Sequence, residues 1–225
     1  MIFVIALVLF ILYYACRAAY SIFLNHQLSS QALAFESHPK NPTLKILIIG
    51  DSTGVGTGSS DNRQTIAGLL AKDFPHADIT NRSKNGMRSA QLLKFIKTFP
   101  VVKSDYIFIH SGGGDIASFE KPEVIVHNIE AILIEAKKRS KRVIYLPPGD
   151  VGKVPFLPWF LRKYYTNRAV YILKKLQKIA KTQSVVYVNM LHDKNGQPIQ
   201  IKKEYYARDG MHLSSKGNKV WYSKL

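Results

Sequence analysis

The sequence has little cysteine and little acid. Cys16 is the single cysteine in 225 residues, which excludes an internal disulfide framework and a cluster of thiolate metal ligands. There are 15 Asp and Glu residues against 32 Lys and Arg, so the formal net charge is +17. Such a charge attracts anionic membranes, anionic glycans or nucleic acid, and it does not choose among them. Because zinc-finger spacing, RNA-binding signatures and basic heptads are missing, we expect no nucleic-acid partner.

Charged side chains are missing from the first 16 residues, which are mostly Ile, Leu, Val and Phe. Sixteen helical residues span roughly 24 Å, and continuing to Leu24 makes the segment long enough for a hydrocarbon core of about 30 Å. A cleaved signal peptide is the alternative, but a basic n-region and a clean small-x-small site are missing. We therefore predict a membrane-anchored, single-pass chain with its transmembrane helix over residues 1–24. Arg17, which follows the uncharged stretch, and Lys40, which follows the span, weakly favour a cytoplasmic domain, so the side of the membrane stays open.

The rest of the chain divides into a linker and one domain. Residues 25–43 are polar and contain Pro42, as is typical of a linker. Residues 44–225 alternate short apolar runs with segments of helical periodicity, which predicts an α/β domain with a parallel sheet of about five strands. Phe156–Leu161 interrupts this pattern with an aromatic segment between basic residues. It suits a flap over an acyl chain, a patch resting on a bilayer, or a loop packed on the sheet.

A candidate nucleophile follows the first predicted strand. The apolar run Lys45–Ile49 ends on Gly50-Asp51-Ser52 and a glycine-rich turn. A strand that stops on a small turn places its next side chain at the carboxyl edge of the sheet, where open α/β folds bind ligands. The glycines after Ser52 have neither P-loop nor dinucleotide-fingerprint spacing, which argues against nucleotide binding. We expect Asp51 to bond to neighbouring backbone amides.

A candidate base lies near the C-terminus. Asp209 precedes His212 by three residues, so its carboxylate can accept the imidazole Nδ1–H and leave Nε2 free to take a serine proton. From spacing alone, an Asp209 that caps a turn beside a surface His212 explains the pattern as well. His110 ends an apolar strand, and we expect it to be a satisfied histidine outside the site. No group of His, Asp and Glu has metal-ligand spacing, so we expect neither a metal nor another cofactor.

Three motifs occur in one order along the chain: Gly50-Asp51-Ser52, the glycine loop ending at Asp115, and Asp209 with His212. From about Lys45 to the C-terminus the chain thereby resembles the SGNH/GDSL hydrolase family. The resemblance implies a flavodoxin-like three-layer α/β/α fold and ester hydrolysis through an acyl-enzyme. It also implies roles for single residues, with Ser52 as nucleophile, His212 as general base and Asp209 as the carboxylate that orients it.

The oxyanion hole is where the sequence departs from this family. The resemblance implies oxyanion donors at the backbone N–H groups of Ser52 and Gly86. The family pattern Gly-x-Asn-Asp appears as Gly112-Gly113-Gly114-Asp115, so Gly114 replaces the asparagine that completes the hole. Loss of one such donor typically costs about 10²–10³ in turnover. Another donor such as Asn85 compensates, or the enzyme is slow, or the domain no longer catalyses.

The sequence therefore predicts a membrane-anchored serine esterase or lipase whose substrate is an acyl or acetyl ester of a lipid or glycan. Two alternatives stay open. One is a non-catalytic lipid- or glycan-binding module, which Gly114 favours and the retained Ser52, Asp209 and His212 oppose. The other is an O-acyltransferase that passes the acyl group to a sugar hydroxyl instead of water, because the same three residues permit both reactions.

Overall fold

The computed structural model describes residues 1–100, 103–193 and 195–225. Its centre is a sheet of five strands in the order β2-β1-β3-β4-β5, and every neighbouring pair is parallel. The strands are β1 (Leu44–Gly50), β2 (Ala77–Asn81), β3 (Tyr106–His110), β4 (Arg142–Leu146) and β5 (Val186–Tyr187). The predicted α/β fold with about five parallel strands is confirmed.

Helices cover both faces of the sheet. In the described residues they are α1 (Ile2–Gln31), α2 (Ser52–Val55), α3 (Ile66–Asp73), α4 (Ser89–Thr98), α5 (Gly113–Ile116), α6 (Pro122–Arg139), α7 (Trp159–Thr182) and α8 (Ser215–Tyr222). Helices α4, α6 and α7 share one buried apolar cluster with β3, and α3 and α8 share a second cluster with β2. Burial on both faces explains the unbroken apolar runs of the central strands, and it confirms the three layers.

The starts of α3 and α7 have local causes. Helix α3 starts at Ile66 because the Thr65 hydroxyl accepts a hydrogen bond from the N–H of Gly68 at 3.1 Å and caps it. Helix α7 starts at Trp159, inside the aromatic segment that was expected to interrupt the helical pattern. Pro158 precedes it, and a proline at a helix start loses no hydrogen bond because the first N–H groups have no partner in the helix.

The N-terminal helix is longer than the predicted anchor. Helix α1 continues to Gln31 instead of ending near residue 24, so the first part of the expected linker is helical. Its second half packs on the domain and buries Ser21 and Leu24. The chain then follows the edge of the sheet, where Ser37 pairs with Ile79 of β2.

Helix α1 is the one helix in the described part of the chain that is long and apolar enough to cross a membrane. The mean hydropathy of its most apolar stretch is 2.3, and none of that stretch is buried. Length and composition alone give weak evidence, since a signal sequence has the same properties.

Candidate active site

Ser52 lies at the carboxyl edge of the sheet because β1 ends in a sharp turn. Gly50 has φ +148°, and a Cβ atom there would lie 1.9 Å from the carbonyl oxygen of His110 on the neighbouring strand. The N–H of Asp51 instead donates to that oxygen at 2.9 Å. The Asp51 carboxylate then caps α2 by accepting from the N–H of Thr53 at 2.9 Å. Ser52 is therefore the first residue of α2 and half-buried.

The Asp51 carboxyl has a raised pKa. Its burial raises the pKa of Asp51 to about 6, against the opposing effect of the Thr53 N–H. Asp115 raises this pKa further and His212 lowers it, which shows that both groups lie near the Asp51 carboxyl. Asp51 is thus a cap enclosed within the site, in line with the bonding expected from the sequence.

Asp209 and His212 form a hydrogen-bonded pair. The Nδ1 atom of His212 lies 2.6 Å from Oδ2 of Asp209, while Oδ1 accepts from the N–H groups of Met211 and His212 at 3.0 and 3.1 Å. Burial alone would raise the pKa of Asp209, but these hydrogen bonds outweigh it and hold the pKa below its ordinary value. A buried, ionised carboxylate fixes the imidazole with Nε2 directed away from it.

The loop after Ser52 packs directly on the loop that carries His212. Gly58 has φ +94°, and a Cβ atom there would lie 2.9 Å from the Cβ of His212. Ser59 and Ser215 join the same two loops through a 2.8 Å hydrogen bond. Within the described residues, Ser52 Oγ makes no hydrogen bond to His212. Such contacts are often long in unliganded enzymes and shorten when substrate binds.

Gly86 is held beside the Ser52 turn. The chain leaves β2 alongside β1, so the N–H of Lys84 donates to the carbonyl of Gly50 at 3.0 Å. Thr57 Oγ1 donates to Oδ1 of Asn85 at 2.5 Å and fixes the next turn. Gly86 has φ +73°, which favours glycine. No hydrogen bond among the described residues uses the backbone N–H of Ser52 or Gly86.

The glycine loop after β3 is joined to the Gly86 turn by a buried carboxylate. Asp115 accepts from the N–H of Ser89 at 3.0 Å and from its hydroxyl at 2.6 Å, which joins α5 to the start of α4. A Cβ atom on Gly114 would have Cγ of Arg88 as its nearest neighbour, at 4.0 Å. Sequence reasoning missed both Arg88 and the partner of Asp115, because 26 residues separate Ser89 from Asp115 and no short motif links them.

The Asn85 side chain is held by two hydrogen bonds. Its Oδ1 accepts from Thr57, and its Nδ2 donates to the carbonyl oxygen of Ser29 in α1 at 2.9 Å. The second N–H of Nδ2 makes no hydrogen bond among the described residues, so Asn85 stays open as the compensating donor.

His110 lies under α2, fully buried. Neither of its ring nitrogens has a hydrogen-bond partner among the described residues, and the nearby Ser83 and Ser111 hydroxyls are also unpaired. Burial lowers the pKa of His110 to about 4, so the ring is neutral at physiological pH. The expectation of a satisfied histidine is wrong in this respect.

The sequence matches a model of the GDSL-like Lipase/Acylhydrolase family over residues 48–220. The chain belongs to this family. That match spans the Ser52 turn, the Gly112–Asp115 loop and the Asp209–His212 pair, and it supports a hydrolase. A search of curated proteins finds no match.

Solved structures share the GDSL fold. TesA has a TM-score of 0.62 at 18% identity, with 80% of this chain and 94% of TesA covered. A lipase/acylhydrolase from Enterococcus faecalis has a TM-score of 0.61 at 19% identity over 81% and 93% of the two chains. A variant of an acetylxylan esterase from Geobacillus stearothermophilus has a TM-score of 0.63 at 15% identity over 82% and 93%. At these identities the likeness establishes the fold.

Proposed function

We propose that this GDSL-family chain is a membrane-anchored serine esterase that cleaves a carboxylic ester through an acyl-enzyme. The observation that carries the proposal is the 2.6 Å pair between Asp209 and His212, packed against the loop that follows Ser52. A serine at a strand end, a histidine whose Nε2 is available and a buried carboxylate are the three groups that nucleophilic acyl transfer needs.

The reaction follows from these positions. Ser52 Oγ attacks the ester carbonyl as its proton passes to Nε2 of His212, and Asp209 stabilises the resulting imidazolium. The bond to the alcohol breaks, and His212 returns the proton to the departing alkoxide. Water then repeats the sequence, attacking the acyl-serine while His212 takes its proton, and the acid leaves as the Ser52 hydroxyl is restored.

The oxyanion is held by the N–H groups of Ser52 and Gly86 and by the Arg88 guanidinium, which compensates for Gly114. Arg88 precedes α4, and its Cγ lies 4.0 Å from the position that a Cβ atom at residue 114 would take. No hydrogen bond or ion pair among the described residues involves its guanidinium. An arginine close to a developing negative charge stabilises it as an amide donor does.

Helix α1 is retained in this proposal, with its exposed residues 1–13 as the part that enters the bilayer and the rest, from Tyr14, as part of the domain. Three hydrogen bonds join it to loops next to site residues: Arg17 donates to the carbonyl of Pro155, Arg208 to Oε1 of Gln27 at 2.7 Å, and Asn85 to the carbonyl of Ser29 at 2.9 Å. Cleavage of a signal peptide after residue 24 would remove the Arg17 contact and the buried Ser21 and Leu24, and would leave Gln27 and Ser29 beside a free N-terminus. This packing favours the retained anchor over the signal peptide.

The test is covalent labelling of the full chain in detergent with a fluorophosphonate probe, with mass spectrometry to locate the adduct. We expect an adduct on Ser52 that disappears in Ser52→Ala and forms far more slowly in His212→Ala. An absence of adduct in folded protein would contradict the esterase. It would favour the non-catalytic binding module, which the loss of the oxyanion asparagine at Gly114 supports.

A further inference from the structure

Five large apolar side chains are exposed together at one corner of the domain. This aromatic corner consists of Phe119, Trp159, Phe160, Leu161 and Tyr164. Phe119 lies in the loop after α5, and the other four lie in the first turns of α7. Two side chains of α7 hold these elements together. Arg168 Nε donates to the carbonyl oxygen of Ile116 at 2.9 Å, and the hydroxyl of Tyr165 donates to the carbonyl oxygen of Ala117 at 3.3 Å.

The exposure of the corner is unusual for the side chains involved. Trp159 is 69% exposed and Phe119 94% exposed, whereas Trp221 in the core is 4% exposed. Apolar patches of this kind mark interaction surfaces, and Trp and Tyr are enriched where an apolar phase meets water.

The aromatic corner is continuous with the apolar half of α1. The ring of Phe160 lies 5.8 Å from that of Phe10 and 5.2 Å from that of Tyr14. On the N-terminal side of this contact, α1 is apolar all round and exposed. A lipid phase that takes up this half of α1 therefore meets the corner at the level of Phe10 and Tyr14.

Basic side chains surround the aromatic corner. Lys153, Arg162 and Lys163 are exposed at the start of α7 and in the turn before it. Nearby, Asp150 accepts from the N–H of Gly152 and the hydroxyl of Thr166 and lies 3.6 Å from Lys153, which leaves Arg162 and Lys163 without an acidic partner among the described residues. Glu123 lies 3.8 Å from Lys175. Aromatic side chains flanked by Lys and Arg match the headgroup region of an anionic bilayer better than they match an apolar protein surface.

The corner also reaches the candidate active site. Both lie at the carboxyl edge of the sheet, because α5 follows β3 and α7 follows β4. The turn before α7 contacts the loop that carries Asp209 and His212, since the N–H of Phe156 donates to the carbonyl oxygen of Gly210 at 3.0 Å. Gly210 is the neighbour of Asp209.

We propose that the aromatic corner docks into the headgroup region of an anionic bilayer beside α1, and that the ester cleaved at Ser52 belongs to a lipid of that bilayer. The lipid assignment rests on the proposed esterase function, while the docking stands on the exposed corner and its continuity with α1. The sequence left three roles open for Phe156–Leu161. On this proposal its exposed half, Trp159–Leu161, is a bilayer contact, while Leu157 is buried in the domain.

The experiment uses the tryptophans as reporters in the full chain, reconstituted in nanodiscs that contain anionic lipid. One set of nanodiscs carries brominated acyl chains, which quench tryptophan emission at short range, and a matched set does not. Trp159→Phe is the control, because it leaves the buried Trp221 as the only tryptophan. We expect bromine to reduce the emission of the unsubstituted chain and to leave that of Trp159→Phe unchanged.

Equal emission in the two sets of nanodiscs would overturn the docking, whether or not the protein cleaves esters. Shielding of Trp159 from aqueous iodide without quenching by bromine would also overturn it, since a protein surface and not lipid would then cover the corner. Either outcome leaves the Ser52 labelling test unaffected, so failure of the docking is distinguishable from failure of the esterase.

A second measurement tests the substrate class. The double variant Trp159→Ser with Phe160→Ser is compared with the unsubstituted chain on a soluble acetate ester and on a diacyl lipid in the nanodisc. We expect the rate on the soluble ester to be unchanged and the rate on the lipid to fall several-fold. Equal rates on the lipid, or equal losses on both esters, would overturn the assignment of a bilayer substrate.

Discussion

At the scale of single residues, Gly114 leaves space at the position where the family pattern Gly-x-Asn-Asp has an asparagine. Its φ is not in the left-handed region, and an added Cβ would meet nothing closer than 4.0 Å, so asparagine fits without strain. We expect Gly114→Asn to raise kcat/KM on a soluble acetate ester by roughly 10-fold to 100-fold, a part of what one oxyanion donor contributes. Gly114→Ala fills the same space without an amide and is expected to give no gain. An equal rise in both variants would contradict the argument.

Arg88 and an asparagine at 114 would serve the same oxyanion, so their effects should not add. We expect Arg88→Ala to lower kcat by about 10-fold or more with little change in KM, because the guanidinium acts on charge that develops in the transition state. In the Gly114→Asn background the same substitution should cost less. A double-mutant cycle measures the difference. Identical losses in the two backgrounds would show that Arg88 acts elsewhere.

His110 makes stability depend on pH in a definite direction. Burial lowers the pKa of His110 from 6.5 to about 4. As the pH falls below 6.5, the His110 ring therefore stays neutral in the folded chain but gains a proton in the unfolded chain. The free energy of unfolding should therefore fall between pH 6.5 and pH 4, by up to about 3 kcal/mol from this group. In His110→Gln this part of the slope should vanish. Urea unfolding in mild detergent at a series of pH values measures it, and parallel slopes would refute the assignment.

At the scale of elements, the sequence predicted well what depends on neighbours along the chain. The apolar run Lys45–Ile49 placed the first strand within one residue at each end, and Asp209 and His212 were recognisable because three residues separate them. Contacts between distant segments could not be predicted in this way. The packing of α1 depends on Asn85 and Arg208, which lie 56 and 181 residues from their partners. The hydrogen bonds between Ser89 and Asp115 could not be predicted for the same reason.

The packing of α1 makes two truncations differ in effect. Residues 1–9 are fully exposed, whereas residues 17–29 contact loops beside Gly86 and Asp209. Deletion of residues 1–9 should leave kcat/KM on a soluble acetate ester unchanged. Deletion of residues 1–31 should lower kcat/KM several-fold, because the loops lose three hydrogen bonds and the packing of the buried Leu24 side chain. Circular dichroism checks the fold of both, and full activity of the longer deletion would show that α1 acts only as an anchor.

At the scale of the whole molecule, the net charge of +17 should act on the rate of substrate capture. Lys84, Arg88 and Arg208 are exposed on the loops that surround the site, so an anionic ester approaches an attractive field. The Debye length falls from about 30 Å at 0.01 M salt to about 3 Å at 1 M, which removes this attraction. We expect kcat/KM for an anionic ester to fall steeply over this range and that for a neutral ester of the same size to change little. A common salt response would mean that the basic surface does not face the substrate, and the charge would then serve only the contact between domain and bilayer.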